Sequence, residues 1–189
     1  MKIGLYFGSF NPIHIGHLII ANHILNKNLV EKLWFVVSPQ NPLKAERLLL
    51  NEFNRLHLLI LAIDDDARMK ASDIEFYLPK PSYTVDTMTY LQEKYPEEEF
   101  SIIMGSDSFK NIKKWKNSSV LLENFQILVY TRPGFAVEST DECRVIILDA
   151  PLLEISATQV RELIRDDKSI RYLVPEKVRE ELDKSRYYK

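Results

Sequence analysis

Gly8-Ser9-Phe10-Asn11-Pro12-Ile13-His14-Ile15-Gly16-His17 is the stretch that decides the fold of this chain. The run before it, residues 3–7, is apolar on both faces, which is typical of a buried strand in a parallel sheet. The run after it, residues 18–25, has helical apolar spacing and follows Gly16 directly. A strand, a glycine-containing turn and a helix start place backbone N–H groups and a helix dipole where an anion binds. The stretch therefore predicts a phosphate site.

The two histidines of this stretch indicate chemistry on that phosphate. His14 and His17 are three residues apart at a helix entrance, so both imidazoles can face the same side and donate hydrogen bonds to one phosphate. Zinc ligation would need a third and a fourth ligand, and the one cysteine, Cys143, is distant in the sequence. The structural alternative is that one histidine caps the helix and the other packs.

Composition limits the classes of protein to consider. The chain has 189 residues, of which 46% are hydrophobic, so we expect one core and a single α/β domain over residues 1–189. A net charge of −2 without a basic stripe argues against nucleic acid as a partner. One cysteine cannot form an internal disulfide, and residue 1 leads into a core strand without a signal-like region. No apolar run reaches bilayer length, so no membrane partner is predicted and a cytoplasmic location is expected.

Strand-like and helix-like segments alternate along the chain. Further apolar runs predict strands at residues 32–37, 69–73, 99–104, 126–130 and 144–149. Helical spacing predicts helices between them, including residues 51–63 and a helix that runs from Thr84 to about Lys94 with Thr84 as its N-cap. This alternation without repeats predicts a Rossmann-like, doubly wound parallel sheet. Ligands of such sheets bind at the carboxyl ends of the strands.

Polar residues beyond the strand ends are therefore candidates for the site. Lys44, in the loop after the second strand, is placed to reach triphosphate oxygens, with a solvated lysine as the alternative. Gly105 and Asp107 follow the strand at 99–104, and Asp107 is expected both to accept from ribose hydroxyls and to cap the next helix. Arg132 follows the strand at 126–130, where it either clamps a phosphate or braces the turn.

Two further residues each have a structural and a functional interpretation. Arg55 lies within the helix at 51–63 and is expected to form a surface ion pair, with support of the neighbouring loops as the alternative. Trp115 stands among lysines, where it either shields an apolar edge or stacks on a flat ring of the ligand.

The second strong motif is Ile155-Ser156-Ala157-Thr158-Gln159-Val160-Arg161. Ser156 and Gln159 have capping-box spacing before an apolar-periodic helix, so part of the pattern indicates a helix start. A hydroxyl-rich helix start with an arginine one turn on is also an anion receptor.

The first stretch resembles the (T/H)xGH signature of the nucleotidylyltransferase superfamily, whose members transfer a nucleotide from a nucleoside triphosphate to a phosphorylated acceptor. Class I aminoacyl-tRNA synthetases share the tetrapeptide at 14–17, but 189 residues without a KMSKS-like run leave no room for a synthetase. The second motif is similar to ISSTxIR, which holds the β- and γ-phosphates of ATP in that superfamily. Ala157 replaces the usual second serine, and Asn11 replaces the usual aspartate of the first motif.

Within the superfamily, the chain resembles the nicotinate mononucleotide adenylyltransferases. The resemblance rests on the HxGH form, on residues 82–87 (SYTVDT) with Trp115 downstream, and on an arginine closing the second motif. It implies transfer of the adenylyl group of ATP to nicotinate mononucleotide, with deamido-NAD and pyrophosphate as products and with Mg²⁺ held mainly by the substrate phosphates rather than by a protein metal site. The alternatives are phosphopantetheine adenylyltransferase, another small-acceptor nucleotidylyltransferase, and a non-catalytic nucleotide-binding regulatory protein.

These patterns together assign roles to three groups of residues. The expected catalytic residues are His14, His17, Lys44 and Arg161. The expected ATP-binding residues are Gly8, Ser9, Phe10, Gly16, Gly105, Asp107, Ser156 and Thr158. Acceptor binding is assigned to Tyr83, Thr84, Trp115 and Arg132. The sequence is compatible with a homo-oligomer and leaves the choice between nicotinate and nicotinamide forms of the acceptor open.

Overall fold

A single parallel sheet forms the centre of the protein, as seen in a computed structural model that describes residues 1–39, 49–132, 134–135, 137, 144–151 and 154–189. Its six strands are β1 (Lys2–Gly8), β2 (Lys32–Val37), β3 (Met69–Ser72), β4 (Glu99–Gly105), β5 (Gln126–Tyr130) and β6 (Val145–Leu148). Every neighbouring pair is parallel, and the strand order is β3-β2-β1-β4-β5-β6. The prediction of a doubly wound parallel sheet is confirmed.

Helices connect the strands. They are α1 (Ile15–Asn26), α2 (Glu52–Ile63), α3 (Thr84–Lys94), α4 (Ser106–Phe109), α5 (Ser118–Asn124), α6 (Ala157–Arg165) and α7 (Glu176–Ser185), with short 3-10 turns at Ile74–Phe76 and Ile112–Lys114. The predicted cap of α3 is wrong by one residue, because Tyr83 is the N-cap and Thr84 is already helical.

Both faces of the sheet are covered by a core. On one face, Tyr6 of β1 packs in a cluster with apolar residues of α1, α2, α6 and α7. On the other face, Leu5 packs in a cluster with residues of α3 and α5, including Met88. Successive side chains of a strand point to opposite faces, so the continuous apolar run at residues 3–7 supplies both clusters.

The sheet has its switch point between β1 and β4. These strands are far apart in sequence but are direct neighbours, with Leu5 paired to Ile102 and Tyr6 to Ile103. The chain leaves β1 toward β2 and leaves β4 toward β5, so the connections diverge and open a crevice at the carboxyl ends. Gly8 and Gly105 end the two strands at this crevice.

Within the described part of the chain, no helix combines the length and apolar character needed to cross a bilayer.

Candidate active site

A cleft of about 620 Å³ opens at the carboxyl ends of β1 and β4. Fourteen of the predicted site residues line it: Gly8, Ser9, Phe10, His14, His17, Tyr83, Thr84, Gly105, Asp107, Trp115, Arg132, Ser156, Thr158 and Arg161. Gly16 is buried beside the cleft. Lys44 lies outside the described residues.

The two sequence motifs meet across this cleft. Nη1 of Arg161 donates to the backbone carbonyl of Asn11 at 2.7 Å, although the two residues are 150 positions apart. Nη2 of Arg161 donates to Oγ1 of Thr158 at 3.1 Å, which fixes the guanidinium over the start of α6. Ser156 caps that helix by accepting from the backbone N–H of Gln159 at 3.1 Å. The hydroxyl-rich start of α6 and the β1–α1 loop (residues 9–14) therefore form one continuous wall.

His14 and His17 lie at the start of α1 with their rings stacked, the ring centroids being 3.7 Å apart. The backbone N–H of His14 donates to Nδ1 of His17 at 3.3 Å. Because Nδ1 accepts, the proton of a neutral His17 ring is on Nε2, so His17 is set as an Nε2–H donor. The alternative that one histidine caps the helix is thus partly correct, since the bond between His14 N–H and His17 Nδ1 both caps the helix and orients the His17 ring.

His14 is kept neutral by its surroundings. Burial, and then the positive charge of Arg132, lower the pKa of His14 from 6.5 to about 4. Its Nδ1 atom is buried and has no hydrogen-bond partner among the described residues. Gly16 makes room for this ring, because a side-chain carbon at position 16 would lie 3.0 Å from Nδ1 of His14.

The start of α1 is less open to an anion than the sequence pattern suggests. The backbone N–H of Ile15 donates to the carbonyl of Leu173 at 2.9 Å, and that of His17 donates to the carbonyl of His14 at 3.0 Å. Two of the first-turn N–H groups are thus already satisfied. The histidine side chains consequently take a larger share of any phosphate contact here.

Arg55 does not form the expected surface ion pair. It is fully buried and donates only to backbone carbonyls that the structure describes. Nη1 donates to Ser9 at 2.6 Å and Ser38 at 2.8 Å, Nε to Leu50 at 2.7 Å and Nη2 to Pro39 at 3.0 Å. Arg55 therefore fastens the β1–α1 loop to the segment that leaves β2, which was the alternative reading of the sequence.

Asp107 and Arg132 face each other on the other side of the cleft. Nη1 of Arg132 lies 3.4 Å from Oδ2 of Asp107, and Nη2 donates to the hydroxyl of Tyr130 at 3.0 Å. The predicted capping role of Asp107 is wrong, because no side chain caps α4. A side-chain carbon at Gly105 would lie 2.5 Å from Oδ1 of Asp107 and 2.9 Å from Nε of Arg132, so only glycine permits this packing.

An aromatic wall closes the side of the cleft near α3. Tyr83 and Trp115 are half-buried against the core, and both line the cleft. Nζ of Lys116 lies 4.8 Å from the centroid of the Tyr83 ring and pairs with Asp86 at 2.8 Å. The wall thus offers flat aromatic faces, which suit an aromatic ring.

The sequence analysis missed Glu75 as a site residue. Glu75 is only 2% exposed and lines the cleft. It accepts from Oγ of Ser82 at 2.8 Å and from Oγ1 of Thr87 at 3.0 Å, and burial raises the pKa of its carboxyl. These bonds hold the segment at 82–87 in place, and no pattern around residue 75 indicates them.

A second missed residue is Tyr188, whose hydroxyl donates to Oδ1 of Asn11 at 2.7 Å. Oδ1 of Asn11 also accepts from the backbone N–H of Leu50 at 3.1 Å. The replacement of the superfamily's usual aspartate by Asn11 thus keeps a side-chain oxygen that accepts two hydrogen bonds.

The described residues do not include a group of three or more His, Cys, Asp or Glu side chains that could hold a metal ion. Of the two acidic side chains of the cleft, Glu75 accepts from two hydroxyls, and Asp107 contacts Arg132 through Oδ2 while its buried Oδ1 has no hydrogen-bond partner among the described residues. These residues do not form a Mg²⁺ cage, so a magnesium ion here would need oxygen ligands from a bound phosphate.

Comparisons with known proteins agree with this geometry. A family model for cytidylyltransferase-like proteins matches residues 5–163. A probable nicotinate-nucleotide adenylyltransferase of Flavobacterium psychrophilum is 49% identical over 192 residues, which cover 100% of both chains. A protein of the same name from Cytophaga hutchinsonii is 49% identical and covers 100% of this chain and 98% of its own.

Solved structures support the fold. The nicotinic acid mononucleotide adenylyltransferase of Plasmodium falciparum, complexed with NaAD, matches with a TM-score of 0.84 over 99% of this chain and 97% of that one. A second structure of that enzyme, complexed with APC, has a TM-score of 0.82. The sequence identity of both is 19%, so the likeness concerns the fold alone.

Proposed function

Because the chain belongs to the nicotinate-nucleotide adenylyltransferase family, we propose that its cleft binds ATP and nicotinate mononucleotide side by side and joins them. The chain is a nucleotidyltransferase, and its reaction is the adenylyl transfer of NAD biosynthesis. The products are deamido-NAD and pyrophosphate. The observation that carries the proposal is the contact of Arg161 with Asn11, because it unites both phosphate-binding motifs at one cleft.

The reaction needs positioning and charge stabilisation rather than a covalent intermediate. The phosphate of nicotinate mononucleotide attacks the α-phosphorus of ATP in line with the departing pyrophosphate. His17, with its proton on Nε2, and neutral His14 donate to phosphate oxygens whose charge grows in the transition state. Their stacked arrangement directs both rings at the same phosphate group.

The start of α6 receives the leaving group. Each terminal nitrogen of Arg161 carries two N–H groups, and one on each is bonded to protein, so the second remains for a phosphate oxygen. Ser156 and Thr158 add hydroxyls beside the positive end of the α6 dipole. Lys44 is assigned to the same pyrophosphate from its place in the sequence.

A magnesium ion that came with the nucleotide would be held mainly by oxygens of the triphosphate and by water, because the described residues include no group of three or more His, Cys, Asp or Glu side chains that could hold it. When bound, it neutralises charge on the departing pyrophosphate.

The remaining walls bind the sugars and the pyridine ring. Asp107 accepts from the hydroxyls of the adenosine ribose, with Arg132 beside it as a further cation. Tyr83, Thr84 and Trp115 receive the pyridine ring, and Trp115 offers the face on which it stacks.

A comparison of acceptors tests the proposal. The protein is incubated with ATP and Mg²⁺ and with nicotinate mononucleotide, nicotinamide mononucleotide or phosphopantetheine, and release of pyrophosphate is followed. We expect turnover with nicotinate mononucleotide and formation of deamido-NAD. Turnover with phosphopantetheine alone would support the alternative acceptor, and no turnover with any acceptor would support a regulatory nucleotide-binding protein.

A further inference from the structure

We propose that Tyr188 is a positioning residue for adenylyl transfer, which acts by holding Asn11 and thereby the β1–α1 loop against Arg161. This inference rests on the proposed function, because it assigns Tyr188 to the triphosphate side of that cleft. Tyr188 belongs to the post-α7 segment (residues 186–189), which follows the end of α7 at Ser185 and reaches Asn11 of the cleft lining.

The hydroxyl of Tyr188 completes a network around one buried asparagine. Asn11 is only 5% exposed, and its Oδ1 atom accepts from Tyr188 at 2.7 Å and from the backbone N–H of Leu50 at 3.1 Å. Its carbonyl oxygen accepts from Nη1 of Arg161 at 2.7 Å. Three distant segments of the chain thus meet at Asn11, and Tyr188 contributes the only side-chain hydroxyl among these three bonds.

The surroundings of Tyr188 fit a fixed rather than an incidental contact. Its ring packs against the same core as α1 and α2, and Arg55 and Arg161 both act on its hydroxyl electrostatically. Burial raises the pKa of this hydroxyl, so it remains protonated and able to donate.

The backbone of the segment also turns toward the cleft. Arg186 and Tyr188 have φ angles of 52° and 68°, which residues other than glycine rarely adopt. Such conformations persist where the surrounding contacts determine them. The nearby bond from Nζ of Lys189 to Asp167 at 3.2 Å gives the turn a second attachment.

The contact explains how an asparagine can take the place of the superfamily's usual aspartate at position 11. A carboxylate at this place would accept the same two hydrogen bonds, so either residue keeps the network. Without the tyrosine hydroxyl, Asn11 loses the 2.7 Å hydrogen bond to its Oδ1 atom. The β1–α1 loop then moves more freely relative to Arg161, and a small misplacement of phosphate ligands slows transfer.

Removal of single hydroxyl groups tests this proposal in the full chain. Tyr188→Phe removes the donor to Asn11, and Tyr187→Phe removes a hydroxyl from the neighbouring residue of the same core and serves as the matched control. We expect Tyr188→Phe to lower kcat/KM for ATP by roughly three- to tenfold, as for the loss of one hydrogen bond. KM for nicotinate mononucleotide should stay within about twofold of the wild-type value, because the acceptor lies on the other side of the cleft. A purely structural role would change the KM values for ATP and for nicotinate mononucleotide by the same factor, or would change neither.

A second pair of variants tests whether the effect passes through Asn11. In an Asn11→Ala background, Tyr188→Phe should cost less than about twofold, because its hydrogen-bond partner is already absent. A full additional loss in that background would overturn the proposal, as would kinetics of Tyr188→Phe equal to those of Tyr187→Phe.

Binding of α,β-methylene-ATP separates this proposal from the proposed function. If the wild type makes no deamido-NAD, the proposed function fails, and calorimetry with this analogue still decides the role of Tyr188. A Kd raised about threefold or more in Tyr188→Phe but not in Tyr187→Phe supports positioning of the triphosphate site. Equal Kd values in the two variants would contradict it.

Discussion

The ring of His14 stacks on the ring of His17 with 3.7 Å between their centroids, while the backbone N–H of His14 holds Nδ1 of His17 at 3.3 Å. One residue therefore supplies both the surface on which the second ring rests and the bond that fixes its tautomer. Two imidazole donors at one helix start can contact a crowded phosphate, and His14 does so without the cost of burying a charged imidazolium.

Loss of the second histidine should abolish most of the turnover. We expect His17→Ala to lower kcat by at least about a hundredfold, the scale for one preorganised donor, while the fold survives. Release of pyrophosphate measures kcat, and circular dichroism measures the fold. His57→Ala, which alters an exposed histidine of α2, is the control and should behave as the wild type. Near-normal turnover of His17→Ala would show that the His14–His17 pair does not act in catalysis.

The neutral state of His14 should be visible by NMR. Because burial and Arg132 lower its pKa from 6.5 to about 4, its ring proton should shift with a midpoint near pH 4. Between these two values the unfolded chain binds more protons than the folded one, so the free energy of unfolding rises with pH across this window. The gain amounts to about 3 kcal/mol at most, from ~1.4 kcal/mol for each pH unit. A midpoint near 6.5 would show that the ring is solvated and not held as described.

Arg55 should be required for stability rather than for chemistry. Arg55→Ala leaves four carbonyls, which are buried or partly buried, without their donor, and we expect the free energy of unfolding in urea to fall by about 3 kcal/mol or more. Arg55→Lys keeps the charge but cannot reach all four oxygens. Its free energy of unfolding should therefore lie between those of the wild type and Arg55→Ala. Arg68→Ala, in an exposed pair with Asp66, should change stability little. An Arg55→Ala variant as stable as Arg68→Ala would refute this role.

Trp115 should act on the acceptor. Trp115→Ala removes the face on which the pyridine ring stacks, so KM for nicotinate mononucleotide should rise about tenfold or more, with a smaller change in KM for ATP. Trp115→Phe should restore much of the loss. The matched control is Trp34→Phe, because Trp34 packs against Tyr95 and Phe100 away from the cleft lining. Equal rises in KM for nicotinate mononucleotide and for ATP would mean that Trp115 only packs against the core.

The sequence predicted the sheet well because local patterns determine it. Each strand is within one residue of its expected ends, since continuous apolar runs bounded by polar turns are typical of buried parallel strands. The meeting of residues 8–17 with residues 155–161 was also predictable. Both segments come after the carboxyl end of a strand, and these ends lie at one edge of a parallel sheet.

Other features depend on contacts that have no local pattern. Tyr188 reaches Asn11 across 177 positions, and nothing in the sequence around either residue indicates the bond. Arg55 binds backbone carbonyls, which every residue has, so no residue type in the sequence indicates its partners. Asp107 resembles a helix cap, yet its approach to Arg132 depends on a neighbouring strand.

The central claim is that one triphosphate lies between the paired imidazoles and the start of α6. A crystal structure of the protein with α,β-methylene-ATP and Mg²⁺ tests it most directly. We predict the α-phosphate within hydrogen-bond distance of Nε2 of His17 and the β- and γ-phosphates at Arg161, Ser156 and Thr158. A triphosphate that lies away from both rings, or that contacts only one of the two motifs, would contradict the account.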